Sequence, residues 1–231
     1  MQIYFVRHGH PNYKEDVLTD IGHAQAEAAS LRLKDSGIKR IYASTHGRAM
    51  QTAEHTAEKL GLEIIPRDSM REIRWDAICP EDTLLMNGHP WHVSEHKANE
   101  GIDITNRNWR LEEPYSKSHL VERTDSAAKA IDELLEELGY KREGNYYRVL
   151  TEDTEKTIAV FSHAGFSSAA LSHMFNIPFP QFCSAFHIGF ASITLVDLHG
   201  AQGRLIAPRF IYVDNIDHTR DIDLVEKMYF Y

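Results

Sequence analysis

Two histidines occupy matching places in two apolar runs. Residues 3–9 read Ile-Tyr-Phe-Val-Arg-His-Gly and residues 158–165 read Ile-Ala-Val-Phe-Ser-His-Ala-Gly. Each run is β-branched and aromatic and ends at a histidine close before a glycine. That pattern predicts a buried strand delivering its last side chains at its carboxyl end, where open α/β sheets hold their ligands. Arg7 stands beside His8, and a fixed guanidinium repels a metal cation while attracting a phosphate or carboxylate through paired N–H donors. The chemistry implied is that of histidine on an anion. A second arginine fits the same reading. Residues 41–53, Ile-Tyr-Ala-Ser-Thr-His-Gly-Arg-Ala-Met-Gln-Thr-Ala, run from a short strand through a Ser/Thr turn into a helix. Arg48 then lies near the first helical turn, where its charge adds to the positive end of the helix dipole and its free N–H groups.

Such residues need a sheet to hold them. Strand-like and helix-like segments alternate through residues 2–7, 20–35, 40–43, 48–60 and 62–65, the βαβ pattern of a mainly parallel sheet. The alternation breaks at 76–118, which contains Trp91, Trp109, His89, His92 and His96, and has no sustained period of either kind. We read that stretch as an insertion packed over the domain as a lid. Helical spacing returns at about 120–139, where Leu120, Ala127, Ala130, Ile131, Leu134, Leu135 and Leu138 form an apolar stripe and Gly139 sits at the stop. Residues 145–150 and 156–162 are then predicted to be paired strands around 151–155. A helix over 166–175 and strands over 191–198 and 204–213 follow, the two strands joined by a turn containing Gly200 and Gly203. The expected fold class is α/β, one domain over 1–231 with 76–118 inserted.

Several of these motifs, taken in order, resemble one family. Arg7-His8-Gly9, Ser44 to Ala53, Glu72 and Ser162-His163 are similar to the motifs of the histidine phosphatase superfamily, the phosphoglycerate-mutase-like enzymes. Leu18-Thr19 with Gly22 and Gln25-Ala26, and Ser192-Ile193-Thr194 in a late strand, add to the match, which covers most of 1–76 and 120–200. The resemblance implies a three-layer αβα sandwich, catalysis without a cofactor or metal, and a small-molecule phosphate monoester as substrate. It implies that His8 is the nucleophile that becomes phosphohistidine, that Arg7, Arg48 and His163 bind the transferring group, and that Glu72 is the general acid. Asp76 is a rival acid, because Arg74-Trp75-Asp76 is not followed by the Gly-x-Trp-x-Gly type of stretch common in the family. Family members often hold phosphate with an Asn or Ser a few residues past the first histidine. Here the loop His10-Pro11-Asn12-Tyr13 is shorter, and Asn12 fills either that role or an ordinary turn. The expected reaction is hydrolysis through a phosphohistidine. A mutase reaction is the alternative within the family, although the mutases' Glu-Arg-His-Tyr-Gly stretch is absent after Glu72. A catalytically silent phospho-ligand binding module is the alternative outside enzymology.

Composition removes other classes. The chain has 231 residues, 25 Lys and Arg against 34 Asp and Glu, and a net charge of −9. That balance argues against nucleic acid, whose binding needs a basic face, so the anion must be held by a local cluster of arginines. With two cysteines, Cys79 and Cys183, and no basic stretch followed by a long apolar run, we expect a cytoplasmic chain without membrane span or disulfide framework. Oligomeric state is not legible. His89, His92 and His96 could share a helix face but lack carboxylates in a definite arrangement, so no metal site is assigned. A Cys-x5-Arg phosphatase loop would need arginine where Leu85 or Gly189 stands. Asp221-Ile-Asp223-Leu-Val225 formally fits a nucleophilic-aspartate motif, but no strand precedes it.

Overall fold

The computed structural model describes residues 1–73, 89–152 and 156–222. Six strands form the central sheet: β1 (Gln2–Arg7), β4 (Arg40–Ser44), β5 (Ile64–Arg67), β8 (Thr157–Ser162), β9 (Ile193–Asp197) and β11 (Arg209–Asn215), in the order β11-β9-β1-β8-β4-β5. β1, β8, β4 and β5 run parallel, whereas β9 is antiparallel to both β1 and β11. A two-stranded ribbon of β2 (Pro11–Asn12) and β3 (Val17–Leu18) lies in the loop after β1.

The period-2 alternation of the strands sorts their side chains into two cores. Ile3 and Phe5 of β1, Tyr42 of β4, and Ile158 and Val160 of β8 face one side. There they pack with Ala127, Ile131 and Leu134 of α4 (Leu120–Glu137) and Phe166, Ala170 and Met174 of α5 (Ala164–Phe175). Val6, Ile41, Ala43, Ala159 and Phe161 face the other side, against Leu33 at the end of α1 (Asp20–Leu33) and Ala53 and Ala57 of α2 (Gly47–Leu60). The result is the three-layer αβα arrangement. β8 is buried at all six positions, as a central parallel strand with helices on both faces must be.

Two local expectations are corrected. The strand at 145–150 does not pair with that at 156–162; β7 (Tyr146–Val149) instead forms a hairpin with β6 (Tyr140–Glu143), and β10 (Leu205–Ile206) joins β7 in a separate three-stranded sheet. The signal for this hairpin is Gly144-Asn145, a two-residue turn with Gly144 at φ 59°. The strand expected over 204–213 is split between β10 and β11 at Ala207-Pro208, where proline cannot donate to a ladder. Within the expected insertion, Pro90–Asn99 form helix α3, with Pro90 at its first position and only Pro90, Val93 and Ser94 buried. So narrow an apolar face gives no helical stripe in the sequence. α3 packs against α6 (Phe179–Ala185), and Trp109 is buried against Tyr115 and Phe179. Asp76 and Cys79 lie outside the described residues, as does part of the Asp221–Val225 motif. No helix among the described residues is long and apolar enough to cross a membrane.

Candidate active site

The site is built where three parallel strands end. β1 pairs with β8 in the register Arg7↔Ser162, so the residues that follow, His8 and His163, emerge side by side with ring centroids 5.2 Å apart. The His8 amide donates to the Ser162 carbonyl at 2.9 Å, extending the ladder by one bond. β4 flanks β8 and ends at Ser44, from which the chain turns into α2 and places Arg48 in its first turn. His8, Ser44, Arg48 and His163 are all buried.

Hydrogen bonding fixes both tautomers, because a carbonyl only accepts and a guanidinium only donates. His8 Nδ1 lies 2.7 Å from the Gly9 carbonyl, so it carries the proton and leaves the Nε2 lone pair facing the site. Arg48 Nε donates to that Nε2 at 3.3 Å, and Arg48 Nη2 donates to His163 Nδ1 at 3.2 Å. His163 must then carry its proton on Nε2, which it gives to Ser44 Oγ at 2.8 Å. Burial and the positive charges of Arg7 and Arg48 hold both imidazoles well below the usual histidine pKa. Both are neutral at pH 7, and His8 offers an unprotonated nitrogen beside two guanidinium groups.

Arg7 Nη1 donates to the Ile188 carbonyl at 2.6 Å, and its guanidinium lies 3.8 Å over the Phe190 ring, a support that fixes its plane. Glu72, just beyond the 3-10 turn Asp68–Met70, reaches the open end of α5. Its Oε1 accepts from the amides of Ile73 (2.9 Å) and Phe166 (3.0 Å), and Oε2 from Gly165 (3.3 Å). Burial raises its pKa; the amide bonds and Arg7 pull the other way without cancelling that rise. A carboxyl tuned upward within reach of a helix N-terminus can hold a proton and then carry the charge left when the proton goes.

Arg7 and His8 thus lie at the end of β1, His163 at the end of β8 and Arg48 in the first turn of α2, and Glu72 joins them at the opening of α5. Asn12 does not bond to any of them: its side-chain oxygen accepts from Lys14 N (3.1 Å) and Glu15 N (3.4 Å), the contacts of a turn. Asp16, which carries no distinguishing signal in the sequence, also belongs to the cluster. Its carboxylate binds Arg48 Nη1, the Gly47 amide (2.8 Å) and His46 Nδ1 (3.1 Å). It sits in Lys14-Glu15-Asp16, where charge reads as a solvated turn. Tyr13 is another such residue, exposed at the rim with Arg48 5.4 Å from its ring.

The histidines of α3 lie apart from this cluster. His89 stacks on Trp91 and His96 pairs with Glu100 at 2.9 Å, and among the described residues no group of histidine, cysteine and carboxylate side chains is arranged to hold a metal. A separate cavity of ≈ 220 Å³, lined in part by Arg107, Trp109, His173 and Asn176, shares no residue with the site.

Comparison with known proteins accords with this geometry. A family model described as the histidine phosphatase superfamily (branch 1) matches residues 3–209. A probable phosphoglycerate mutase, GpmB, from Yersinia pestis is 30% identical over 115 residues, 45% of this chain and 54% of the relative; the match thus spans about half the length of the curated relatives. Among solved structures, a phosphoserine phosphatase from Entamoeba histolytica in complex with 3-phosphoglyceric acid superposes with TM-score 0.63 at 18% identity, covering 94% of this chain and 98% of the other. A mycobacterial glucosyl-3-phosphoglycerate phosphatase gives 0.59 at 18% identity, covering 92% and 98%.

Proposed function

The chain belongs to the histidine phosphatase superfamily, and from that membership we propose that it hydrolyses a small-molecule phosphate monoester through a phosphohistidine on His8. The observation that carries this reading is the Nδ1–H bond from His8 to the Gly9 carbonyl, which leaves Nε2 unprotonated and nucleophilic, its lone pair accepting a long 3.3 Å bond from Arg48 Nε that an incoming phosphoryl group would displace. In the first step the Nε2 lone pair attacks phosphorus, the P–O bond to the alcohol breaks, and the departing oxygen takes the proton from Glu72. In the second, water attacks the phosphohistidine, its proton returns to Glu72, and the P–N bond breaks to release inorganic phosphate and restore neutral His8. Arg7, Arg48 and His163 neutralise the equatorial oxygens throughout, so positioning and charge stabilisation supply most of the catalysis. Asn12 joins them only if its turn reopens toward the phosphoryl group. We read the insertion 76–118 as a lid over this site; its residues 76–88 lie outside the described ones, and Trp109 anchors the part from 89 onward.

A mutase would return the phosphoryl group to a second hydroxyl, and the mutase-named relative keeps that outcome in view. The absence of the Glu-Arg-His-Tyr-Gly stretch after Glu72 favours water as acceptor. Rapid quenching with a labelled monoester is expected to give acid-labile, base-stable phosphate on His8, with inorganic phosphate as product in buffer containing EDTA. His8→Ala is expected to lose label and at least 10³-fold in turnover. Near-normal turnover in that variant would refute the mechanism, and a rearranged monoester in place of inorganic phosphate would make the enzyme a mutase.

A further inference from the structure

Arg48 is held from two directions. Its Nε and Nη2 reach His8 and His163, and its Nη1 is bound by Asp16, whose second carboxylate oxygen takes the Gly47 amide and His46. This carboxylate is not a passing surface charge. Asp16 adopts the left-handed backbone region at φ 56°, uncommon for a residue with a side chain, although aspartate enters it more readily than most. Its carbonyl oxygen lies so close to Gly47 that a β-carbon there would overlap it. The turn is therefore seated on the first residue of α2, a helix whose own N-cap residue, His46, gives no side-chain cap.

We propose that Asp16 is a positioning residue of the phosphoryl site, which anchors Arg48 at the start of α2 and whose charge limits how tightly released inorganic phosphate is held. The inference rests on the reading of this crevice as a phosphoryl site. A guanidinium shared with a carboxylate attracts a phosphate dianion less than a free one, and the carboxylate itself repels the dianion. The anchor thus favours turnover in two ways: it keeps Arg48 aimed at the two imidazoles, and it prevents product from saturating the site.

Asp16→Asn preserves size and an acceptor for the Gly47 amide while removing the charge; Asp16→Ser keeps a cap of smaller reach. Binding of inorganic phosphate, measured by titration calorimetry, and turnover of p-nitrophenyl phosphate are the two readouts. Thermal melts identify which variants are folded. We expect phosphate to bind about tenfold more tightly to the charge-free variants, with turnover about tenfold lower because the guanidinium is less well placed. A residue serving only the fold would weaken both. Unchanged or weaker phosphate binding in a folded variant overturns the proposal. If the wild type binds phosphate yet turns over no monoester, the hydrolase reading fails and the affinity comparison still decides the role of Asp16. Wild-type protein that binds no phosphate overturns both.

Discussion

Glu72 is subject to opposed influences on a single carboxyl group. Burial favours its neutral form and three amides favour its charged form, and burial prevails. That balance suits a donor which must be protonated before the reaction and stable as an anion after it. Glu72→Gln should therefore lower kcat/KM by 10²–10⁴-fold for alkyl phosphates, whose leaving oxygen is strongly basic, and far less for p-nitrophenyl phosphate. Steady-state kinetics on both substrates check this. An equal loss on both would remove Glu72 from the role, and the same asymmetry in Asp76→Asn would move it there. Four chemistry-bearing residues are legible in the sequence because each adjoins a strongly patterned element: His8 and His163 follow apolar strands, Arg7 closes one and Arg48 opens a helix; Glu72 is marked only by its match to a family position. Asp16 is not, since nothing in Lys14-Glu15-Asp16 distinguishes an anchor of another residue from a charged turn. Its role depends on Gly47 and Arg48, 31 and 32 positions on.

At the scale of elements, α2 and α5 share an arrangement. Both open on the crevice, neither is capped by the side chain of its own N-cap residue, and each takes a carboxylate from elsewhere, Asp16 for α2 and Glu72 for α5. The loop after β1 is fixed just as closely, to α1 and to α2. Thr19 caps that helix by accepting from the Gly22 amide at 3.1 Å, Gln25 accepts from the His10 amide at 2.7 Å, and Gly9 donates to Thr52 at 3.0 Å. Gly9 and Gly22 pass so near each other's chain segments that a β-carbon at Gly22 would overlap the His10 carbonyl oxygen. Gly22→Ala is expected to cost about 1–3 kcal/mol, the usual penalty of overpacking, and to lower turnover by displacing the loop that carries His8. Thermal melts and kinetics on the same preparation check both parts; an unchanged Tm would show that the loop yields. The long elements were legible because their periods are sustained: the helix over 120–137 and the buried strand over 157–162 are examples. The β6–β7 hairpin was not, because a four-residue strand reading Tyr-Lys-Arg-Glu offers little apolar alternation, and only its Gly-Asn turn marks it.

For the whole molecule, histidines buried wholly or in part tie stability to pH. His8 and His163 are held well below the ordinary pKa of about 6.5, and His89, His92 and His218 are lowered as well, burial being the first cause in each. A depressed folded pKa means that the unfolded chain takes up protons which the folded chain refuses. These groups contribute stability above about pH 6.5, and that contribution is lost as pH falls toward their folded values. Glu72, raised by burial, works in the other direction, stabilising at low pH and losing that effect as pH rises through its folded value. Five histidines outweigh one carboxyl, so Tm should fall between pH 7 and pH 5. Thermal melts across that range test this, and a rising Tm would contradict the burial of uncharged imidazoles. The sheet order has a consequence of a different kind. Ser44 and His163 bond across 119 positions and Arg48 and His163 across 115, and the strands that deliver them are neighbours only in the closed sheet. Contacts of such separation form late, since loop closure must precede any gain from them. The place of His163 against Ser44 and Arg48 thus depends on the assembled sheet and not on any local segment.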